Sequence, residues 1–140
     1  MIPFFKYHRV YENISGKISE EISKVISSGM FINGPNVKLL EDNMNSFIGS
    51  KYCSGVSSGT DALSAAVMSL ENKGGIFVCP SFTFIATAMS VARQGFDIRF
   101  VDVEFESFKP TVEMVIDKCC SNTVGVIWPH LFGEPTDMFS

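Results

Sequence analysis

Short apolar runs alternate with helical patterns from residue 52 to the end of the sequence. The apolar runs, numbered here as predicted strands 1 to 4, are 52–56, 76–79, 98–103 and 123–128. The helices predicted between them are 61–70, 82–94 and 111–119. Runs that are apolar at nearly every position are typical of strands buried on both faces of a parallel sheet. The alternation therefore predicts an α/β fold with a mostly parallel sheet.

Two further helices with apolar faces are predicted before this alternation. The first covers residues 14–28 and is followed by Gly29, and the second follows the turn 31–35 and is followed by Gly49. Glycine commonly ends a helix because it adopts the left-handed conformation at no steric cost. Asp137 predicts the start of one more helix close to residue 140.

Length and charge limit the classes of function. The chain has 140 residues, which is the size of one domain, and a net charge of −4. Its basic residues are scattered and form no stripe, so nucleic-acid binding has no electrostatic support. No apolar run reaches the ~18 residues of a membrane span, and the first residues lack the apolar core of a signal peptide. These patterns predict a cytoplasmic protein.

Four cysteines occur in the sequence, and their spacing matches no zinc motif. They are Cys53, Cys79, Cys119 and Cys120. We interpret them as free thiols in a reducing compartment and predict no metal site.

The turn Ser57-Ser58-Gly59-Thr60 lies between predicted strand 1 and the helix predicted at 61–70. Ligands of α/β sheets bind beyond the carboxyl ends of the strands. A helix N-terminus there offers unpaired N–H groups, and glycine lets a bulky anion approach the backbone. The turn therefore suits a phosphate, although Ser58 or Thr60 is equally well explained as a simple helix N-cap. It has neither the lysine of a P-loop nor the third glycine of a dinucleotide fingerprint.

Two more candidate features follow later strands. Phe82 and Phe84 are predicted to open the helix after predicted strand 2, where an aromatic ring can stack on a flat ligand. His130 follows predicted strand 4, and a histidine there can act as a base or a ligand. Ordinary core packing is the better explanation of a single phenylalanine, and a polar residue satisfied within its loop is the better explanation of a lone histidine.

Five motifs in order resemble the N-terminal part of the DegT/DnrJ/EryC1/StrS aminotransferases. They are Gly34-Pro35 with Leu40-Glu41, Val56 to Leu63, Pro80 to Ala88, Phe100 to Val103, and His130 to Gly133 with Asp137-Met138. These enzymes use pyridoxal phosphate and act mainly on keto sugars of nucleotide sugars. The resemblance runs from about residue 27 to residue 140.

The resemblance implies the roles of four residues. Gly59 and Thr60 would hold the cofactor phosphate, with the backbone N–H of Asp61, and Phe84 would stack on the pyridine ring. It also implies a nucleotide-sugar substrate, an amino donor such as glutamate, and a homodimer whose sites are shared between subunits. Gly34-Pro35 would lie near the active site, whereas His130 receives no chemical role.

The resemblance places the rest of the family's site beyond Ser140. An aspartate that pairs with the pyridine nitrogen and a lysine that forms the Schiff base would both follow, and some relatives replace that lysine with histidine and perform dehydration. The expected fold is part of the fold type I large domain, whose seven strands run in the order 3-2-4-5-6-7-1. With strands 1 to 4 alone, strands 3, 2 and 4 would pair, and strand 1 would dock elsewhere or stay loose.

Two interpretations follow from the sequence. In the first, residues 1–140 are the N-terminal portion of the large domain of a sugar aminotransferase, truncated and inactive alone, with the small domain absent. In the second, the chain is a non-catalytic remnant, or a subunit that needs a separately encoded second half.

Overall fold

The computed structural model describes residues 3, 6–71 and 74–136. The helices of this part are α1 (His8–Ser28), α2 (Pro35–Ile48), α3 (Gly59–Met68), α4 (Ala86–Ala92) and α5 (Val112–Lys118). The strands are β1 (Ile76–Pro80), β2 (Asp97–Val101) and β3 (Thr123–Val126), and a 3-10 turn covers Leu131–Gly133. The chain divides into two compact units, Met1–Gly55 and Val56–Ser140. None of the described helices has the length and apolar character of a membrane span.

The first unit contains α1 and α2, which confirms the two predicted N-terminal helices. Helix α1 begins at His8, earlier than the prediction, and Gly29 and Gly49 end the two helices with φ of 68° and 75°. Neither helix has a buried residue, so the apolar faces predicted for both are largely exposed; Phe47 of α2 is 87% exposed.

Gly34 sets the entry into α2. It is the N-cap residue, and Pro35 occupies the first helical position, where a missing N–H costs nothing. A Cβ atom on residue 34 would lie 2.7 Å from the backbone oxygen of Met30. Only glycine therefore allows this close approach between the turn and the end of the preceding segment.

Predicted strand 1 is wrong, because residues 52–56 form no strand. A single strand has no neighbouring strand with which its backbone N–H and C=O groups can pair, so an extended conformation gains no stabilising hydrogen bonds. The segment is tied instead by a side chain: the Gly55 N–H donates to Oε1 of Glu41 at 2.8 Å. This agrees with the expectation that the segment would not join strands 2 to 4.

Predicted strands 2, 3 and 4 are confirmed as β1, β2 and β3. They form a parallel sheet in the order β2-β1-β3, which is the 3-2-4 arrangement that the resemblance implies. β1 aligns Ile76 with Asp97 on one side and with Thr123 on the other. All three carboxyl ends therefore lie at one edge of the sheet.

The core of the second unit lies on both faces of the central strand. On one face, Phe77 packs with Val67 of α3, Val91 of α4 and Phe96, whose ring meets that of Phe77 edge to face at 5.2 Å. On the other face, the fully buried Val78 packs with two valines, Val101 of β2 and Val115 of α5. The second unit is therefore a helix–sheet–helix sandwich.

Several predicted boundaries shift in the second unit. Helix α4 begins at Ala86 rather than at residue 82. The Ser81 N–H still extends the sheet by donating to the Val101 oxygen at 2.8 Å, and residues 82–85 connect it to the helix. Pro80 is the last residue of β1 rather than a stop before it, and β2 and β3 end at residues 101 and 126. Thr111 caps α5, which begins at residue 112. The helix expected at Asp137 lies outside the described residues.

Replacing Gly125 with alanine is expected to lower the free energy of unfolding by about 1–3 kcal/mol, because the core of β3 has no room for a methyl group. The new Cβ would lie 2.5 Å from Cε1 of the buried Phe77. Gly16→Ala is the matched control, since its Cβ would meet nothing within 4 Å in α1. This control is expected to stabilise by about 0.5–1 kcal/mol. Urea unfolding followed by circular dichroism measures the free energy of unfolding of both variants. A wild-type value for Gly125→Ala would contradict the close packing of residue 125 against Phe77.

Candidate functional site

Ser58 is the N-cap of α3, which confirms that reading of the small-residue turn. Its backbone is extended, its Oγ accepts from the Asp61 N–H at 3.2 Å, and its carbonyl accepts from the Ala62 N–H at 3.0 Å. The helix begins at Gly59, two residues earlier than predicted, so Gly59 and Thr60 form its first turn.

Gly59 and Thr60 carry unused donors at this helix start. Within the described residues, neither their N–H groups nor the Thr60 hydroxyl has a hydrogen-bond partner in the chain. A Cβ on Gly59 would meet nothing within 4 Å, so the backbone there faces open space. Open N–H groups at the positive end of a helix are the arrangement that holds phosphates. The residues present therefore fit a phosphate group.

The Asp61 side chain places a negatively charged carboxylate at the same helix start. Its carboxylate accepts hydrogen bonds from the Ser57 hydroxyl and, at 3.0 Å, from the Ser58 hydroxyl. These bonds, with the Arg93 charge as a smaller cause, hold the pKa of the carboxyl below its usual value. An acidic group in the first turn is also favoured by the helix dipole.

This carboxylate limits which groups can bind an added anion. The hydroxyls of Ser57 and Ser58 are occupied, and the Asp61 N–H, which the resemblance assigns to the phosphate, donates to Ser58 Oγ. The open donors therefore belong to Gly59 and Thr60. The role of the Asp61 carboxylate was not predicted from the sequence, although the S-x-x-D pattern of residues 58–61 is close to the capping-box signature and could have revealed it.

Phe84 lies in the loop that follows the carboxyl end of β1. Its ring is 67% exposed, whereas the ring of Phe82 packs against Phe108 with centroids 5.3 Å apart. Both phenylalanines precede α4 instead of opening it, which corrects the prediction. Phe84 is therefore the more exposed of the two phenylalanines, and Phe82 has a ring contact.

His130 follows the carboxyl end of β3 and is exposed. Its Nδ1 accepts a hydrogen bond from the Thr136 N–H at 3.2 Å. Because β1 and β3 are parallel neighbours, the segments that carry Phe84 and His130 leave the sheet at the same edge. Residues 59–61 instead begin α3, which packs against α4, and no strand leads into them.

The sequence matches a known protein family along most of the chain. The sequence profile of the DegT/DnrJ/EryC1/StrS aminotransferase family matches residues 12–140. The chain belongs to this family. The family membership agrees with the resemblance found in the sequence, and it extends the match to residues before position 27.

Curated members of the DegT/DnrJ/EryC1/StrS family include sugar aminotransferases similar to this chain. UDP-2-acetamido-2-deoxy-3-oxo-D-glucuronate aminotransferase of Pseudomonas aeruginosa is 33% identical over 98% of this chain. The dTDP-3-amino-3,6-dideoxy-alpha-D-galactopyranose transaminase of Aneurinibacillus thermoaerophilus is 28% identical over the whole chain. The chain spans only 38% and 39% of the lengths of these two relatives.

Two solved structures have the same fold over most of this chain. DesV of S. venezuelae, solved in complex with a ketimine intermediate, superposes with a TM-score of 0.88 at 28% identity over 98% of this chain and 37% of its own. NtdA of Bacillus subtilis, solved with bound cofactor PMP, has a TM-score of 0.84 at 25% identity over 98% of this chain and 32% of its own. The described part therefore has the fold of a portion of a PLP-dependent aminotransferase, and PLP is the cofactor of the family.

Removing the Asp61 charge is expected to weaken the start of α3 and to flatten its response to acid. Because the folded pKa lies below the usual 3.8, the carboxylate stabilises fully above that value, and this contribution is lost as the pH falls through the lower folded pKa. Urea midpoints measured from neutral to strongly acidic pH should fall less in Asp61→Asn than in the wild type. Glu106→Gln removes an exposed carboxylate with no hydrogen bond among the described residues, and should keep the wild-type slope. If the urea midpoint falls with pH equally in Asp61→Asn and Glu106→Gln, the stabilising role assigned to the Asp61 carboxylate is contradicted.

Proposed function

We propose that this chain is part of a PLP-dependent aminotransferase that transfers an amino group to the keto group of a nucleotide-linked sugar. The observation that carries the proposal is the start of α3, where Gly59 and Thr60 keep open donors at the place to which the sequence resemblance assigns the cofactor phosphate. The family match over residues 12–140 includes this segment. The curated relatives are named for amino transfer on UDP- and dTDP-linked sugars, which supports this substrate class.

Gly59 and Thr60 hold the cofactor phosphate in this proposal. Their two N–H groups and the Thr60 hydroxyl supply three hydrogen bonds, and the open space beside Gly59 admits the anion. The Asp61 N–H adds a further hydrogen bond to the phosphate if it stops donating to Ser58 Oγ and donates to the phosphate instead. The Asp61 carboxylate stays on the Ser57 and Ser58 hydroxyls, so directed hydrogen bonds rather than net charge bind the phosphate.

Phe84 orients the cofactor ring. Its exposed side chain offers a flat apolar face, which excludes water from one side of a bound pyridine and keeps the ring at a fixed angle. When bound, pyridoxal phosphate acts as an electron sink for the carbon that gains or loses the amino group.

The chain supplies a portion of the large PLP-binding domain in this proposal, because it spans 38% of the length of its Pseudomonas relative. The pyridine-pairing aspartate and the cofactor-binding lysine would come from sequence beyond residue 140. The partners are a nucleotide sugar, an amino donor such as glutamate, and a second subunit that forms a homodimer. The four described cysteines are free thiols, which supports a cytoplasmic location.

The reading frame beyond codon 140 tests the proposed activity. An in-frame aspartate motif followed by a serine–lysine stretch would support it, and the longer protein should then transfer an amino group from glutamate to a UDP-linked keto sugar. A stop codon, with neither motif in any forward frame, would overturn it.

Thr60→Val is expected to weaken binding of pyridoxal phosphate by about 10- to 100-fold, since one hydrogen bond to a charged group is lost. Amide shifts of Gly59 and Thr60 in a nuclear magnetic resonance titration measure the affinity on this chain. Pyridoxal, which lacks the phosphate, is the control ligand and should leave both amides unmoved. Equal affinity of wild type and Thr60→Val would remove Thr60 from the site.

Phe84→Ala is expected to weaken the same binding by about three- to tenfold, because ring stacking is lost, while Phe84→Tyr should retain the affinity. Phe82→Leu is the matched control. It loosens the contact with Phe108 and should lower the free energy of unfolding without changing the affinity. A larger loss of affinity in Phe82→Leu than in Phe84→Ala would reverse the assignment of the two rings.

A further inference from the structure

The segment 130–136 after β3 folds into a compact turn around His130. The Gly133 N–H donates to the His130 oxygen at 3.0 Å, and the Glu134 N–H donates to the Leu131 oxygen at 3.2 Å. Phe132 has a φ of 60° within this turn. The chain then returns so that the Thr136 N–H reaches His130 Nδ1 at 3.2 Å.

Lys109 ties this turn to the loop between β2 and α5. Its Nζ lies 2.6 Å from Oε1 of Glu134 and donates to the Pro135 oxygen at 3.3 Å. The Lys109 side chain is only 23% exposed, whereas that of Glu134 is 71% exposed. A lysine whose side chain is mostly buried therefore contacts two consecutive residues of the turn, Glu134 and Pro135, which directly precede Thr136.

The backbone of Lys109 is itself held by hydrogen bonds. Its backbone oxygen accepts from the Glu104 N–H at 3.0 Å, and its N–H donates to Ser107 Oγ at 3.2 Å. An ion pair with one exposed partner contributes little to stability. The consequence of these contacts is therefore geometric, because they define where residues 134–136 lie relative to His130.

The Thr136 contact determines which nitrogen of His130 carries the proton. A ring nitrogen that accepts a hydrogen bond has no proton, so the neutral imidazole carries its proton on Nε2. His130 is exposed, and it follows the sheet edge that also carries Phe84. The Nε2–H group is therefore a donor available to a ligand at this edge.

We propose that Lys109 is a positioning residue that holds the 130–136 turn, through Glu134 and Pro135, so that His130 presents Nε2–H as a hydrogen-bond donor at the carboxyl edge of the sheet. The matching ligand group is an oxygen acceptor, such as a carbonyl or hydroxyl of a bound sugar. That ligand assignment rests on the proposed function, whereas the positioning by Lys109 is a property of this chain alone.

The positioning is tested on the 140-residue chain without cofactor, by long-range proton–nitrogen correlation spectra of the imidazole rings under conditions where they are neutral. The wild-type His130 is expected to show a single Nε2–H tautomer. In Lys109→Met, which keeps the apolar stem, the Nδ1 resonance should shift toward that of Nε2 as the tautomers mix. Lys109→Arg should restore the wild-type pattern, and His8 of α1 should be unchanged throughout.

An unchanged His130 pattern in a folded Lys109→Met chain would overturn the proposal, as would an Nδ1–H tautomer in the wild type. If Lys109→Met does not fold, Glu134→Gln takes its place. It keeps the lysine contact to the Pro135 oxygen and should give a smaller shift in the same direction, and no shift would overturn the proposal. The phosphate titration with Thr60→Val is independent, so failure of the proposed function is separable from failure of the positioning.

Discussion

The pairing of β1 with a parallel strand on each side is the constraint on which the second unit depends. β1 is buried along most of its length, with Val78 fully enclosed and Phe77 almost so. A strand buried on both faces has no water to satisfy its backbone, so the ladders to β2 and β3 are required. These ladders set the helices on the two faces and bring the loops after all three strands to one edge.

At the candidate site, backbone N–H groups without partners among the described residues lie next to a negatively charged side chain, the Asp61 carboxylate. Gly59 and Thr60 keep unused donors, while Asp61 draws in the neighbouring serine hydroxyls. An acidic group beside an anion site costs binding energy unless it is held by donors of its own, and Ser57 and Ser58 provide these. The turn therefore keeps the groups that cap the helix separate from the open donors that would bind a phosphate in the proposed function.

Much of the local structure could be predicted from the sequence because it depends on neighbouring residues. The helix ends at Gly29 and Gly49, an N-cap at Ser58 or Thr60 and the apolar strand predicted at 76–79 all follow from patterns a few residues long. The run 52–56 has the same local pattern as a strand and was predicted wrongly, because pairing depends on partners distant in sequence. The same limit applies to Phe82 and Phe84, since their neighbouring positions do not reveal that, within the described part of the chain, Phe82 has a ring partner and Phe84 has none.

The sequence by itself determined the fold class, most helix ends and, through its motifs, the family to which the chain belongs. Only the tertiary structure decided the contacts that join separate loops. Lys109 and Glu134 are 25 positions apart, and the sequence has no signal that they meet. They meet because parallel strands deliver the loops after β2 and β3 to the same edge of the sheet, and the histidine tautomer follows from that encounter.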